Sequence, residues 1–293
     1  MRNILIDLIK NDFKKNNKIF FLTADLGFNV LEPLRSISNK RFLNVGVSEN
    51  NMMLLATGLS SFKGNTVYTY SISSFLILRT FEILRNYISN ENRSVRLIGV
   101  GSGVSYDKLG KTHFNLDDIN AIYSLKNILI LNPSNSNELN FIYRKFKNMK
   151  IPLYFRINKN NFSPKDGFVK HKNIFVKKGT SANLIVSGSI LNHIHEFFTD
   201  NELKKINIIS VPIMNVAYSD NIKSKLVKGK ILSICDCSIS VFFEELKNKL
   251  KFNNKYPFYN FGLDHNKIKY VGNEKEILEQ MGVTKKNLIK YLF

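Results

Sequence analysis

Phe42-Leu43-Asn44-Val45-Gly46-Val47-Ser48-Glu49-Asn50-Asn51-Met52-Met53 runs from a β-prone stretch through a glycine turn straight into a helix. The spacing predicts a strand over Phe42–Val47 and a helix over Glu49–Phe62, with Met52, Met53, Leu55, Ala56 and Leu59 on its apolar side. Ser48 suits an N-cap, and Glu49 a first-turn acid favoured by the helix dipole. A strand that passes directly into a helix is half of a β-α-β unit, so the question is whether the pattern repeats.

It does. Upstream, an amphipathic helix from Asn3 to Lys15 leads to a strand at Ile19–Thr23. Downstream come a strand at Thr66–Tyr70 and a long helix over Ser74–Ile88, with Ile77, Phe81, Leu84 and Ile88 as one apolar stripe. Strands at Val95–Val100, Asn127–Leu131 and Leu153–Arg156 follow, the last two separated by a helix over Ser136–Phe146. Such alternation predicts a parallel sheet covered by helices. Residues 161–178 are polar and turn-rich, with Pro164 and Gly167, and read as a linker. A second alternation then starts at Ala182 and runs through Ile206–Val211 and Lys230–Ile234 to a helix over Ser240–Leu250. The expected fold is therefore α/β with two parallel-sheet domains, residues 1–160 and 179–293, and no internal repeat.

The composition agrees. With 293 residues, 44% hydrophobic and 23% charged, the chain can bury two ordinary cores, which excludes disorder and coiled coils. No apolar run approaches the roughly 20 residues of a membrane span. The first ten residues, broken by Asp7 and Lys10, do not read as a signal peptide. Cys235 and Cys237 are too close for a ready disulfide and too few for a zinc site; reduced, buried cysteines and a cytoplasmic location are expected. The formal charge of +20, from 43 Lys+Arg against 23 Asp+Glu, raises the question of nucleic acid. The lysines are scattered and do not interleave with aromatics, so anionic small substrates are expected and nucleic acid is not.

In an open parallel sheet, ligands sit beyond the carboxyl ends of the strands. Besides the Gly46–Glu49 turn, one segment there stands out, the long glycine-spaced loop from Gly99 to Asp118. It lacks the third glycine of a dinucleotide fingerprint and is too long for one. A loop of this length in a compact domain points to function, and His113 is its best titratable group. Taken singly, Glu49 reads equally as a helix-start acid and His113 as a surface histidine.

As a set the segments say more. Ala24-Asp25-Leu26-Gly27, Gly46-Val47-Ser48-Glu49-Asn50-Asn51-Met52, the run from Tyr70 through Phe75 and Arg79 to Asn86, and Gly110-Lys111-Thr112-His113 occur in that order. The set resembles the pyrimidine-binding domain of the transketolase family of thiamine diphosphate enzymes, and residues 179–293 resemble the family's C-terminal domain. In length and layout the chain looks like the C-terminal subunit of a split transketolase. The Gly-Asp-Gly segment of the family's diphosphate-binding domain is absent. The resemblance thus implies thiamine diphosphate as cofactor, with Mg²⁺ or Ca²⁺ held by a separate N-terminal diphosphate-binding subunit in a heterotetramer.

It also implies roles. Glu49 would hydrogen-bond the cofactor's aminopyrimidine and support its internal proton transfer. Asp25, Leu26, Tyr70, Phe75 and Arg79 would surround the cofactor. His113 would stand by the reacting substrate as a catalytic and substrate-binding residue, and Arg156 would bind a substrate phosphate. Three positions depart from transketolases: Leu109 replaces an acid, Gly101 a histidine, and Asn29 a phosphate-contacting serine. The implied reaction is two-carbon transfer from a ketose or 2-oxoacid donor to an aldehyde or keto-sugar acceptor. A β-type subunit of a decarboxylating 2-oxoacid enzyme and a catalytically silent partner are the alternatives.

Overall fold

The computed structural model describes residues 1–125, 127–163, 165–216, 219–250 and 256–293, so Pro164 lies outside the described residues. The first sheet is built from β1 (Ile19–Thr23), β2 (Phe42–Asn44), β3 (Thr66–Ile72), β4 (Val95–Val100), β5 (Leu129–Leu131) and β6 (Leu153–Ile157). The strands pair in parallel in the order β2-β1-β3-β4-β6-β5. Every residue of β4 and β6 is buried, as expected of central parallel strands covered on both faces. Removing one such side chain, for example by Leu97→Ala, leaves a cavity whose cost is about 2–5 kcal/mol.

The second sheet comprises β7 (Val169–His171), β8 (Ile174–Lys177), β9 (Ala182–Ser187), β10 (Ile206–Ser210), β11 (Ile231–Cys235) and β12 (Phe258–Phe261). Its order is β12-β11-β9-β10-β8-β7, parallel from β12 to β10. The chain thus forms two mostly parallel α/β layers. The β7–β8 hairpin packs antiparallel on β10, so half of the stretch expected as a linker completes the second sheet. Buried Ile174 and Val176 hold it there. Cys235 and Cys237 are free and buried. Among the described residues no helix is long and apolar enough to cross a membrane.

Three local differences from the expected elements matter at the site. β2 ends at Asn44 rather than Val47, because the Asn44 side chain accepts from the backbone N–H of both Asp25 and Gly46 and turns the chain away. The helix over Ser74–Ile88 is not uniformly α. Wide π turns at Phe75–Arg79 and Leu84–Ser89 flank a short α turn at Phe81–Ile83. The Thr80 hydroxyl bonds back to the Leu76 carbonyl at 2.6 Å, a side-chain contact that loosens the regular ladder. Along Glu49–Ser61, Met52, Met53 and Ala56 are buried as expected, but Leu55 joins Leu54 in solvent.

The second domain also carries a titrating pair. His193, on the helix Ile190–Phe197, lies 3.4 Å from Glu274, which opens the helix Glu274–Gln280. Burial alone would lower the imidazole pKa, but the Glu274 carboxylate, helped by the charges of Glu196 and Asp236, outweighs it and raises the pKa above 6.5. A base with a raised folded-state pKa stabilises fully below its unfolded pKa, and that contribution fades as pH rises through the folded value. The melting-temperature difference between the wild type and His193→Gln is therefore expected to be largest near pH 5.5 and to shrink toward pH 8.5, on the order of three pH units in which imidazole discharges. A difference that grows with pH would mean that the pair is not charged in the native state.

Candidate functional site

The Gly46–Glu49 turn delivers Glu49 to the carboxyl end of the first sheet. Val45 still bonds to Thr23 of β1, and Gly46 adopts φ +76°, so the chain turns sharply before the helix begins. Glu49 is only 4% exposed. Its carboxylate accepts from the Ser71 hydroxyl at 3.1 Å and from Arg79 Nη1 at 3.0 Å. Ser71 points at Glu49 because it sits one residue from the end of β3; Arg79 reaches it from the first π turn. The guanidinium, half exposed, also lies 3.9 Å from the centre of the Phe75 ring. Phe75 in turn meets the His113 imidazole edge-on at 5.1 Å, and Tyr106 approaches the same imidazole at 6.3 Å. The result is a buried carboxylate paired with one cation, whose guanidinium lies on the Phe75 ring, with His113 and Tyr106 beyond it.

Four of the expected residues thus come together: Glu49, Phe75, Arg79 and His113. Asp25 and Leu26 line a cleft of about 380 Å³ beyond β1 and β2, with Phe28, Arg35 and Asn44, and Asn44 links Asp25 to the Gly46 turn that leads into Glu49. Asp25, at φ +50°, exchanges two hydrogen bonds with Asn44. Tyr70 does not line the Glu49 site. It is the strand neighbour of Ser71, and successive side chains of a strand face opposite ways. Its ring is buried beside Phe21 and beneath Gly27, on the other side of the sheet. Burial raises its phenol pKa.

Arg156 also departs from expectation. It is 0% exposed, and every N–H of its guanidinium has an acceptor. Nε donates to Asp118 at 2.7 Å; Nη1 donates to Asp236 Oδ1 at 2.5 Å and Asn132 at 3.4 Å; Nη2 donates to the carbonyls of Asn115 at 2.6 Å and Asp236 at 2.9 Å. No donor is left for a substrate phosphate, so the substrate-binding role expected for Arg156 is withdrawn.

Two contributors escaped sequence reasoning. Ser71 could have been found only from its position one residue before the end of β3. Tyr106 explains Gly101: a Cβ on Gly101 would fall 2.2 Å from the Tyr106 ring. The tyrosine fills the space that a side chain at 101 would need, and Gly101 at φ +93° is the residue type that permits it. Leu109 is exposed in a short 3₁₀ turn. Among the described residues there is no group of three or more His, Cys, Asp or Glu side chains that could hold a metal ion.

Comparison with known proteins fits this geometry. The family described as "Transketolase, pyrimidine binding domain" matches residues 1–165. A subunit of the apulose-4-phosphate transketolase of Actinobacillus succinogenes is 28% identical over 250 residues, covering 84% of this chain and 78% of that one. A putative transketolase C-terminal section from Methanocaldococcus jannaschii is 25% identical over 222 residues, 73% of this chain and 69% of that one. Among solved structures, a split-gene transketolase described as an inactive β4 tetramer superposes with a TM-score of 0.80 at 20% identity, covering 99% of this chain and 95% of that one. Transketolase from Campylobacter jejuni gives the same TM-score at 16% identity, but this chain spans only 46% of it. The chain belongs to the transketolase pyrimidine-binding-domain family.

Proposed function

We propose that this chain supplies the aminopyrimidine-binding half of a thiamine diphosphate site in a transketolase-like transferase, completed by a separate diphosphate-binding subunit that holds the divalent cation. The observation that carries the reading is Glu49, a carboxylate 4% exposed yet set at the ligand-binding end of a parallel sheet, with its partner Arg79 lying on the Phe75 ring. When bound, the cofactor supplies the carbon nucleophile of two-carbon transfer. Glu49 would accept a hydrogen bond from, or hold a proton toward, the ring nitrogen of the aminopyrimidine. Phe75 and the edge of His113 would form a wall against the ring and exclude water from it. Arg79 balances the charge of Glu49 and, being half exposed, can swing away as the ring enters. His113 would hold or move a proton at a substrate oxygen.

A partner surface is available beside the site. Phe28, Val47, Leu54, Leu55 and Leu78 are large apolar side chains left in solvent on the elements that carry Asp25, Glu49 and Arg79. Exposed apolar side chains grouped around a functional site mark an interaction surface, and a heterotetramer of two such chains with two partner chains would cover it.

The donor follows from Gly101 and Tyr106. Where transketolases carry a histidine, this chain has the Tyr106 ring filling the space above a glycine. A donor hydroxyl that such a histidine would bind loses that partner, at a cost of about 1–3 kcal/mol, or roughly tenfold to a hundredfold in rate. A donor panel on the reconstituted pair is expected to rank pyruvate or a deoxyketose above xylulose 5-phosphate. If xylulose 5-phosphate is the best donor, the reading of Gly101 and Tyr106 is wrong; if no donor turns over, the reading as an enzyme subunit is.

A further inference from the structure

The loop that carries His113 belongs to the first domain by sequence but is seated in the second. Between β4 and the helix Asp118–Tyr123, its Val104, Phe114 and Leu116 are buried in the second domain's apolar core, with Leu184, Ile190 and Leu263. Polar contacts pin it at further points. The backbone N–H of Glu274 donates to Asp107 at 3.1 Å, and that of Ser238 to the Leu116 carbonyl at 2.8 Å. Asn115 donates to the Gly103 carbonyl at 2.8 Å, and its own carbonyl is held by Arg156. Arg156 is gripped from both sides, by Asp118 at the start of the helix that follows the loop and by Asp236 just after β11. Asp236 is fixed in turn by the Ser189 hydroxyl at 2.7 Å and the Asn132 amide at 3.3 Å. Gly103 packs so closely on Asp236 that a Cβ there would lie 3.1 Å from the Asp236 Cβ.

We propose that the second domain is the seat of the His113 loop, and that Arg156 and Asp236 are positioning residues that set His113 relative to Glu49. What His113 does there rests on the proposed function; that the loop is held in this way does not. The charges fit a fixed, dry clamp. Burial would raise the Asp236 carboxyl pKa, but the adjacent guanidinium and the hydrogen bonds from Ser189 and Asn132 together hold the carboxyl below its usual value. Burial would likewise lower the Arg156 pKa, and the two carboxylates hold it well above. A buried pair of this kind contributes little net stability over an apolar substitute, but removing one member strands the other. That favours a role in fixing geometry.

The test is amide hydrogen exchange on the full-length chain carrying Asp236→Asn, Arg156→Lys or Gly103→Ala. The alanine wedges the loop from Asp236 without removing a charge. Exchange across residues 101–116 is expected to rise about tenfold or more in Asp236→Asn and Arg156→Lys, the size of losing one charge-assisted hydrogen bond, and to rise measurably in Gly103→Ala, where the added Cβ meets the Asp236 Cβ. Exchange in β3, β4 and β9 is expected to stay as in the wild type. With the partner chain, kcat should fall by a larger factor than the KM for thiamine diphosphate rises, since Glu49, Phe75 and Arg79 lie off the loop and only His113 of the ring's wall is on it. Unchanged exchange in 101–116, or a rise spread evenly over the chain, overturns the proposal, as does a wild-type kcat in a variant whose loop has loosened. If Asp236→Asn does not fold, Gly103→Ala decides alone. A wild-type pair without activity would sink the functional reading, while the exchange data would still decide the seating of the loop.

Discussion

Replacing Glu49 by glutamine is expected to lower turnover by roughly two to four decades while the protein still folds, the range for losing general acid–base help. The amide is near-isosteric and can still accept from Ser71, so the buried position keeps a partner. The lost ion pair involves an arginine that is half exposed, so little stability goes with it. What the amide cannot do is take up and return a proton. The prediction is checked by kcat of the reconstituted pair and by exchange of the cofactor's C2 proton, alongside a thermal melt. Normal exchange in Glu49→Gln would make Glu49 a helix-start acid and nothing more. Arg79→Ala supplies the contrast: it frees the carboxylate without removing it and should cost far less than the glutamine.

The first sheet could be read from the sequence because its strands are short apolar runs set between amphipathic helices. Phe20, Phe21 and Leu22, or Val95, Leu97 and Ile98, have few other places to go. The β7–β8 hairpin could not. Its strands carry Lys170, His171 and Lys177, and its turn places Lys172 at φ +55° where glycine would have announced it. The π turns of the Ser74–Ile88 helix were equally hidden, since a stripe of apolar residues every three or four positions fits either helix. At the site, Glu49, Phe75, Arg79 and His113 were legible only as a set, through the order of their segments and the family resemblance it carries; Glu49 and Phe75 open helical turns, but Arg79 closes one and His113 ends a short turn in a long loop. Arg156 was misread for a plain reason. Its acids, Asp118 and Asp236, lie 38 and 80 residues away, and Asp236 belongs to the other domain. Nothing local distinguishes an arginine waiting for a phosphate from one already satisfied by two carboxylates.

The isolated chain is expected to have no transferase activity of its own. Glu49, Phe75 and His113 can meet one ring of thiamine diphosphate, but a diphosphate and its metal need a set of anion- and cation-binding groups that the proposed partner provides. Charge-assisted contacts and metal coordination at that end supply most of the binding energy. Contacts with the aminopyrimidine alone would leave affinity weaker by several decades, each decade being about 1.4 kcal/mol. The exposed Leu54, Leu55 and Phe28 point the same way, since burying them on a partner removes apolar surface from water.

The shared site is put to the test by a calorimetric titration of thiamine diphosphate with Mg²⁺ into three samples: this chain alone, a separate diphosphate-binding transketolase chain from the same organism alone, and the two together. Saturable, tight binding is expected only in the mixture, with turnover of a two-carbon donor appearing there and nowhere else. Tight binding and turnover by this chain alone would show that it owns a complete site and needs no partner.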